Sequence, residues 1–179
     1  DFIVDLSGWF PSTGGSDTFV AMEPVRHVDT RNGTGGRSAA VTPNAPYEFA
    51  VAGLRGTTPD GDAVTIPADA AAVSLNVTSA NAAGSGFITG WPCGTDRPLA
   101  SDVNLVAGGA VGNGVIAPIG EAGTVCLHSS TSTELIIDVA GYLPGGATSA
   151  FNAVVPRRVV DTRDATGAPQ RRVTAATPI

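Results

Sequence analysis

An Asp-Thr-Arg triplet that occurs twice is the feature of this sequence that could most readily do chemistry. Its two copies begin at Asp29 and Asp161 and end at Arg31 and Arg163. The acid and the base of each copy are two positions apart, and side chains two apart on a β-strand point to the same face. Each pair could therefore bind a ligand or form a charge-assisted latch that holds a strand in place. We favour the latch, because a motif that recurs in each copy suits architecture as well as function.

The two cysteines are Cys93 and Cys126, which lie 33 residues apart. No Cys-x-x-Cys spacing is present and only His128 is near, so the pattern does not favour a metal site. We expect a disulfide, which would contribute about 3–4 kcal/mol by closing the intervening loop and would indicate an oxidising, extracellular location. The alternative is a pair of buried thiols in an intracellular protein.

Three aromatic side chains beside Pro or Gly could stack on sugar rings: Trp9, Trp91 and Tyr142. The same placement suits packing over the end of a β-sandwich or against a neighbouring unit. Trp9 and Tyr142 occupy equivalent positions in two related segments, so an aromatic ring is needed there twice. We therefore favour packing and keep a glycan contact as the alternative.

Two further carboxylates, Asp5 and Asp138, lie between apolar neighbours on predicted strands. They could be ligands of a cation such as calcium, together with backbone carbonyls. They could also face solvent or pair with an arginine of the same repeat, which we favour. No acidic loop has the spacing of an EF-hand, and Asp60-Gly61-Asp62 is typical of a polar turn. We predict no metal and no cofactor.

Neither histidine lies in a pattern typical of an enzyme. His27 aligns with Val159 of the second copy, and a catalytic position would not exchange imidazole for an alkyl group. His128 precedes Ser129, but no Gly-x-Ser-x-Gly elbow and no third partner accompany them. We therefore predict no catalytic residue and no enzymatic activity.

The chain repeats itself after a fixed interval. Residues 2–11 (FIVDLSGWFP) resemble residues 135–144 (LIIDVAGYLP), and residues 24–31 (PVRHVDTR) resemble residues 156–163 (PRRVVDTR). The first pair is offset by 133 positions and the second by 132. Ten identities in two collinear blocks make coincidence a poor explanation.

This spacing predicts that the chain is a window on a tandem array. Residues 17–144 would form one complete β repeat domain, residues 1–12 the last strand of a preceding repeat, and residues 150–179 the beginning of the following one. Neither end is long enough to bury its own apolar face.

Short alternating segments bounded by turn residues predict an all-β fold. Val73, Leu75 and Val77 alternate with polar residues, which is the pattern of a half-buried strand. About eight to ten strands in the unit favour an antiparallel β-sandwich or jelly-roll-like module, and the lack of crossover helices disfavours a parallel fold. The strands that we predict are residues 2–6, 47–52, 73–77, 86–91, 102–106, 114–119, 124–128 and 135–142.

The composition excludes several classes of protein. The 179 residues carry a net charge of −6, which does not provide the basic surface that a nucleic-acid partner needs. No apolar run approaches the roughly 20 residues of a membrane span. The chain is 42% hydrophobic, which supports a core, and its 23 Gly and 13 Pro suit turns better than helices.

Several segments together resemble a repeat of secreted actinobacterial proteins. In order from Pro24 they are PVRHVDTRNGTGG, AAVSLNVTSANAAGSGFITGWPCGTDRP, SDVNLV, GTVCLHSS and ELIIDVAGYLP. The resemblance implies a module that occurs in tandem on exported or cell-surface proteins, sometimes beside hydrolases and in related form in phage tails, with no known activity of its own. The second copy has Ala165 where the first has Gly33, which predicts that this turn can vary.

These observations predict a non-catalytic, extracellular repeat module. Its partners would be neighbouring repeats or copies of itself, stacked head to tail in an adhesive filament or stalk. The alternative is a carbohydrate- or cell-wall-binding module attached to a secreted protein, with a surface glycan as its partner. Neither interpretation includes a nucleic-acid partner.

Overall fold

A computed structural model of the chain describes residues 3–11, 19–57, 61, 63–146, 151–172 and 174. These residues form twelve strands and no helix, so none of them belongs to a helix long and apolar enough to cross a membrane. The strands are β1 (Ile3–Trp9), β2 (Val20–Asp29), β3 (Tyr47–Ala50), β4 (Arg55–Thr57), β5 (Ala63–Thr65), β6 (Ala72–Ala80), β7 (Gly86–Pro92), β8 (Val103–Leu105), β9 (Val111–Pro118), β10 (Thr124–Ser129), β11 (Glu134–Leu143) and β12 (Asn152–Asp161).

Two four-stranded antiparallel sheets make up the body of the protein. One has the strand order β3-β10-β7-β8 and the other β2-β11-β6-β9. Two smaller antiparallel pairs, β1-β12 and β4-β5, complete the described strands. The prediction of an all-β, antiparallel, sandwich-like fold is confirmed.

The core lies between the two four-stranded sheets, because alternate residues of their strands point inward. On β6, Val73, Leu75 and Val77 are buried while Ser74 and Asn76 face outward. The opposite sheet supplies the buried rings of β3 and the apolar residues of β10 and β7 to the same cluster. The alternation read from the sequence therefore places the core correctly.

The strands predicted from the sequence did not include β2, β12 or the β4-β5 pair. The strands of the β4-β5 pair are three residues each, Arg55–Thr57 and Ala63–Thr65, which is too short to show a period-2 pattern. Asp60 and Asp62, assigned above to a polar turn, lie outside the described residues.

The Asp-Thr-Arg triplet is placed differently from the prediction. Asp29 is the last residue of β2, and Thr30 and Arg31 already belong to the turn that follows. The acid and the base therefore do not share a strand face. They meet because the turn brings the Arg31 backbone N–H and side chain back onto Asp29, 3.1 Å and 2.7 Å from its carboxylate oxygens.

The turn after the triplet has the same geometry in both copies. In the first, Thr34 bridges to Asp29, and its N–H donates to Asn32 Oδ1 at 3.0 Å. In the second, Thr166 bridges to Asp161, and its N–H donates to the Asp164 side chain at 3.0 Å. The repeat thus extends through the turn.

The turn varies in sequence but keeps its backbone geometry where Ala165 replaces Gly33. Gly33 has φ +86°, and Ala165 adopts φ +70° at the equivalent position. An alanine in this left-handed region costs about 1–2 kcal/mol relative to glycine. The bridge between Asp161 and Thr166 and the hydrogen bond from the Thr166 N–H to the Asp164 side chain therefore stabilise the turn, although alanine disfavours this φ.

We predict that Gly33→Ala lowers the free energy of unfolding by about 1 kcal/mol, because the methyl group disfavours the positive φ. Urea denaturation at neutral pH measures this. Gly114→Ala is the control, since Gly114 has no positive φ and open space around its Cα. An equal loss in both variants would contradict the assignment of the cost to φ.

Candidate functional site at the paired terminal strands

Strands β1 and β12, from the two ends of the chain, pair with each other in the register that joins β11 to β2 inside the body. Asp5 lies opposite Arg158, as Asp138 lies opposite Arg26. Both pairs have two register shifts, immediately before Asp5 and before Gly8 in one and before Asp138 and before Gly141 in the other. The equivalence covers every pairing: Ile3–Asp161, Val4–Val160, Asp5–Arg158, Leu6–Arg157, Gly8–Ala153 and Trp9–Asn152 match Ile136–Asp29, Ile137–Val28, Asp138–Arg26, Val139–Val25, Gly141–Ala21 and Tyr142–Val20.

A four-residue ion-pair network, which we call the inner latch, joins β2 to β11. Its members are Asp29, Arg31, Arg26 and Asp138. The buried carboxylate of Asp29 accepts hydrogen bonds from Arg31 Nε at 2.8 Å and from Arg26 Nη1 at 3.1 Å. Arg26 also donates to both carboxylate oxygens of Asp138 on the neighbouring strand. The network therefore connects the end of β2, its turn and β11. We call β2 and its equivalent β12 the opening strands, and β11 and its equivalent β1 the closing strands.

The outer latch repeats this network on β1 and β12 with Asp161, Arg163, Arg158 and Asp5. Arg163 Nε and Arg158 Nη1 lie 2.9 Å and 3.2 Å from the buried Asp161 carboxylate. Arg158 then donates to Asp5 through Nε at 2.9 Å and Nη2 at 3.2 Å. The forked guanidinium of Arg158 donates to one acid on its own strand and to one on the neighbouring strand, as the arrangement of its donors permits.

An aromatic ring lies over a glycine in both pairs. A methyl group added at Gly141 would lie 2.3 Å from the ring of Phe19, and one at Gly8 would lie 2.1 Å from the ring of Phe151. Any side chain at either glycine would displace the ring. The two glycines thus permit the start of the opening strand to pack closely on the closing strand.

The arginines of the latches control the charge state of the buried acids. The hydrogen bonds from Arg31 lower the pKa of Asp29 to about 2, against the opposing effect of burial. The pKa of Asp161 is lowered in the same way by Arg163. Both carboxylates are therefore ionised at neutral pH, and each latch carries fixed, mutually neutralised charges.

Thr30 ties the inner latch to the backbone of β11. Its N–H donates to the Leu135 carbonyl at 3.0 Å, its hydroxyl accepts from the Leu135 N–H at 2.9 Å, and it donates to the Glu134 carboxylate. The middle residue of the triplet thus fixes the position of the turn on the closing strand.

The two strand pairs differ in what covers them. Val139 is fully buried under the opposite sheet, whereas the equivalent Leu6 is 41% exposed. Ile136 is buried, and the equivalent Ile3 is exposed. The β1-β12 pair therefore has the contacts of the body's strand pair without the second sheet that would cover its apolar face.

The side of β1 that carries Asp5 rests on the body. Asp5 Oδ2 accepts the Ser101 backbone N–H at 2.9 Å. Next to this contact is an open groove of about 530 Å³, whose lining includes Asp102, Asn113 and Phe151. The side chain of Arg158 is consequently 10% exposed, whereas that of Arg26 is 45% exposed.

Asp102 is a titratable group beside this contact that the sequence did not reveal. Burial raises its pKa to about 6, and the negative charge of Asp5 acts in the same direction. The Gly90 N–H donates to Asp102 Oδ2 at 2.6 Å and opposes the shift. No motif surrounds this residue in the sequence, so only the fold shows its environment.

Cys93 and Cys126 form a disulfide with a Cα–Cα distance of 5.1 Å. It joins the end of β7 to β10, and the Trp91 ring packs against it. Trp91 is 5% exposed, and its indole N–H donates to the Thr95 carbonyl at 3.2 Å. The ring is therefore not available to stack on a sugar, and the glycan interpretation of Trp91 is replaced by packing on the disulfide.

Trp9 and Tyr142 occupy equivalent registers but different surroundings. Tyr142 packs partly buried against the main core, and Trp9 is 51% exposed. Their equivalence in the sequence is thus preserved in strand position but not in burial.

Asp5 and Asp138 are paired with arginines, as described above, so their carboxylates face guanidinium groups rather than a cation site. Among the described residues, the acidic and sulfur atoms of Glu48, Cys93 and Cys126 lie close enough to hold a metal. Two of these are disulfide sulfurs, which are not thiolate ligands.

The histidines lie apart from any nucleophile arrangement in the described structure. His27 Nε2 lies 2.7 Å from the Ala50 carbonyl, and burial lowers its pKa. The Ser129 hydroxyl donates to the Thr131 carbonyl at 2.6 Å.

Two members of the latches were missed as site residues. Arg26 and Arg158 are identical in the two repeats, and that identity was the available signal.

Comparison of the chain with protein-family models, with curated proteins and with solved structures found no match. The functional interpretation therefore rests on the geometry of the β1-β12 pair.

We predict that Asp29→Ala lowers the free energy of unfolding at pH 7 by about 2 kcal/mol, because hydrogen bonds to a buried charged group are lost. The pKa of Asp29 is below its usual value of 3.8, so its contribution is complete above that pH and is lost as pH falls toward 2. Urea denaturation at several pH values measures both effects.

Asp138→Ala is the control, since Asp138 is partly exposed and the expected loss is below about 1 kcal/mol. An Asp29→Ala variant as stable as the parent at pH 7 would contradict the latch.

We predict that Asp102→Asn stabilises the protein at pH 7 by up to about 2–3 kcal/mol, the equivalent of the shift in its pKa. Because the folded pKa is raised to about 6 from 3.8, the native state holds its proton longer than the unfolded state. Stability of the parent protein should therefore fall as pH rises between those values, and the variant should not show this fall. Thermal melts from pH 3.5 to 7.5 measure the difference; parallel profiles would disprove it.

Proposed function

We propose that this chain is part of a non-catalytic structural repeat protein of the cell exterior, in which successive units associate into a filament or stalk. The observation that carries the proposal is the β1-β12 pair. It reproduces the register, both shifts and the ion pairs of β2-β11 from two segments that are 132–133 positions away from their counterparts.

The properties of the two end strands support their assignment to neighbouring units. A closing strand normally lies between the opening strand and β6, as β11 does. β1 has an opening strand beside it but no counterpart of β6 among the described residues. A two-stranded ribbon is marginally stable by itself. The remainder of a neighbouring unit would cover the exposed Ile3 and Leu6.

A structural role is also supported by the chemistry of the positions that are repeated within the chain. Each latch acid is neutralised by arginine, and each latch arginine donates to acids. Groups paired in this way stabilise strand contacts and have little capacity left for proton transfer or nucleophilic attack.

The disulfide is compatible with a secreted protein. Cysteine pairs persist in oxidising compartments and are rare in reducing ones. The disulfide supports the proposal of an extracellular protein, in which the cross-link between β7 and β10 would stabilise one sheet of the unit.

Binding to a carbohydrate or cell-wall polymer is the second candidate, and Trp9 is the observation that favours it. Its ring is half exposed on β1, next to the exposed Phe10. In the equivalent Tyr142, however, the ring packs on the core. We rank this candidate second because a neighbouring unit would cover Trp9 in the same way.

Electron microscopy of the secreted protein, purified in its native form, tests the proposal. We expect filaments or stalks with a regular repeat of one β unit. Retention on immobilised peptidoglycan or polysaccharide, with isolated globular particles in the images, would instead support the glycan binder. As a control, Trp9→Ala should remove such retention if that ring binds sugar, and should leave filaments intact otherwise.

A further inference from the structure

The contact between the β1-β12 pair and the body is a guide to the contact between neighbouring units. This pair resembles the β11-β2 pair of another unit, and it is docked on the segment from Arg97 to Asn104, which we call the receiving segment. The anchor is the hydrogen bond from the Ser101 N–H to Asp5 Oδ2, at 2.9 Å. Arg158 and Leu99 line the adjoining space.

The β2-β11 pair of the body presents the same surface as the docked β1-β12 pair, and this second surface is exposed to solvent. Arg26 and Asp138 are the counterparts of Arg158 and Asp5 and have the same mutual geometry. Arg26 is much more exposed than Arg158, and the hydrogen bonds described for Asp138 come from Arg26 alone. We call the surface around these two residues the latch face.

We propose that the latch face of one unit docks on the receiving segment of the next unit, a second copy of the same module, with Asp138 accepting the N–H that corresponds to Ser101. The inference rests on the proposed function and names its unit-to-unit contact. In this chain, β12 takes the position that the opening strand of the preceding unit would occupy beside β1.

The sheet topology places the two surfaces on different sides of the unit. The latch face belongs to β2 and β11, at one end of the order β2-β11-β6-β9. The receiving segment ends within β8, which is the edge strand of the other sheet, and the docked pair contacts β9 as well as β7. One unit can therefore donate and receive at the same time, which is the property of a heterologous contact that propagates.

The connection between units has a suitable length. Val20 lies opposite Tyr142, so the unit begins and ends at the same end of its β2-β11 pair. The link from Leu143 to Asn152 can span at most about 30 Å. Four strands side by side span roughly 19 Å. Adjacent units placed side by side across the strand direction are thus within reach of each other.

The chemistry of the two surfaces is complementary. The latch face offers a carboxylate acceptor, and the receiving segment offers a backbone donor. Leu99 of the receiving segment is exposed and shares a small cavity with Pro156, whose equivalent on the latch face is the identical Pro24. An apolar contact therefore accompanies the polar one.

Mixing two versions of the full chain tests the proposal. The donor is the parent chain, whose latch face is open. The acceptor carries Asp5→Arg, which places like charges together and removes the Ser101 acceptor, so that β1 releases the receiving segment. The acceptor also carries Asp138→Ala, which prevents association with itself. We expect a 1:1 complex with about twice the 17.9 kDa mass of one chain in light scattering after gel filtration.

Two donors serve as controls. A donor with Asp138→Ala should form no complex, since its latch face lacks the acceptor while Arg26 keeps Asp29 as a partner. A donor with Glu121→Ala, which removes an exposed acid from the turn between β9 and β10, should bind like the parent. Circular dichroism melts verify that every variant is folded.

Hydrogen exchange of the Ser101 amide in the acceptor completes the test, because this N–H donates to Asp5 in the parent chain. Rapid exchange of this amide together with no complex would overturn the docking proposal. Continued protection of this amide would also overturn it, because the Asp5–Ser101 contact would then not be the anchor. Filaments in electron microscopy without this complex would leave the proposed function intact and assign the unit contact to another surface.

Discussion

The ionised carboxylate of Asp29, buried at the end of β2, is the constraint on which the arrangement of the opening and closing strands depends. A buried charge is tolerated only when it is paired and hydrogen-bonded. Arg31 supplies one partner from the turn, and Arg26 supplies another while reaching Asp138 on β11. Since the carboxylate needs both, the strand, the turn and the neighbouring strand are fixed together. A register slip of β2 on β11 would separate Arg26 from Asp138.

The same constraint explains how β1 and β12 recognise each other. The two strands come from opposite ends of the chain, yet Asp161, Arg158 and Asp5 restore the network of the body. The residues that determine this pairing therefore lie within the two short segments themselves. The pairing does not require the second sheet, whose absence leaves Leu6 exposed where Val139 is buried. Pairing and burial are therefore separate properties of these strands, and in the proposed assembly this separation would let the strand pair of one unit contact another unit.

The latch and the hydrophobic core stabilise different parts of the unit. The core holds the two sheets face to face through the inward residues of β6, β10 and their neighbours, and the disulfide fixes β7 to β10 within one sheet. The latch fixes the outer strand β2, which is an edge strand whose neighbour in the described sheet is β11. Edge strands are the elements most prone to pair with other chains. In the assembly that we propose, specific charges would direct that tendency.

The sequence by itself determined the strand class, the core positions of β6, the cysteine pair and the equivalence of the chain ends, because alternation and repetition are local properties that need no folding to be read. It did not place Asp29 and Arg31 in a turn, give Arg26 and Arg158 their part in the latches, bury Trp91 on the disulfide, or set Asp102 beside Asp5. Those facts depend on which strands become neighbours. Contacts between residues about 100 positions apart, such as Ser101 and Asp5, were decided only by the tertiary structure, since burial and hydrogen bonding there arise from packing rather than from sequence spacing.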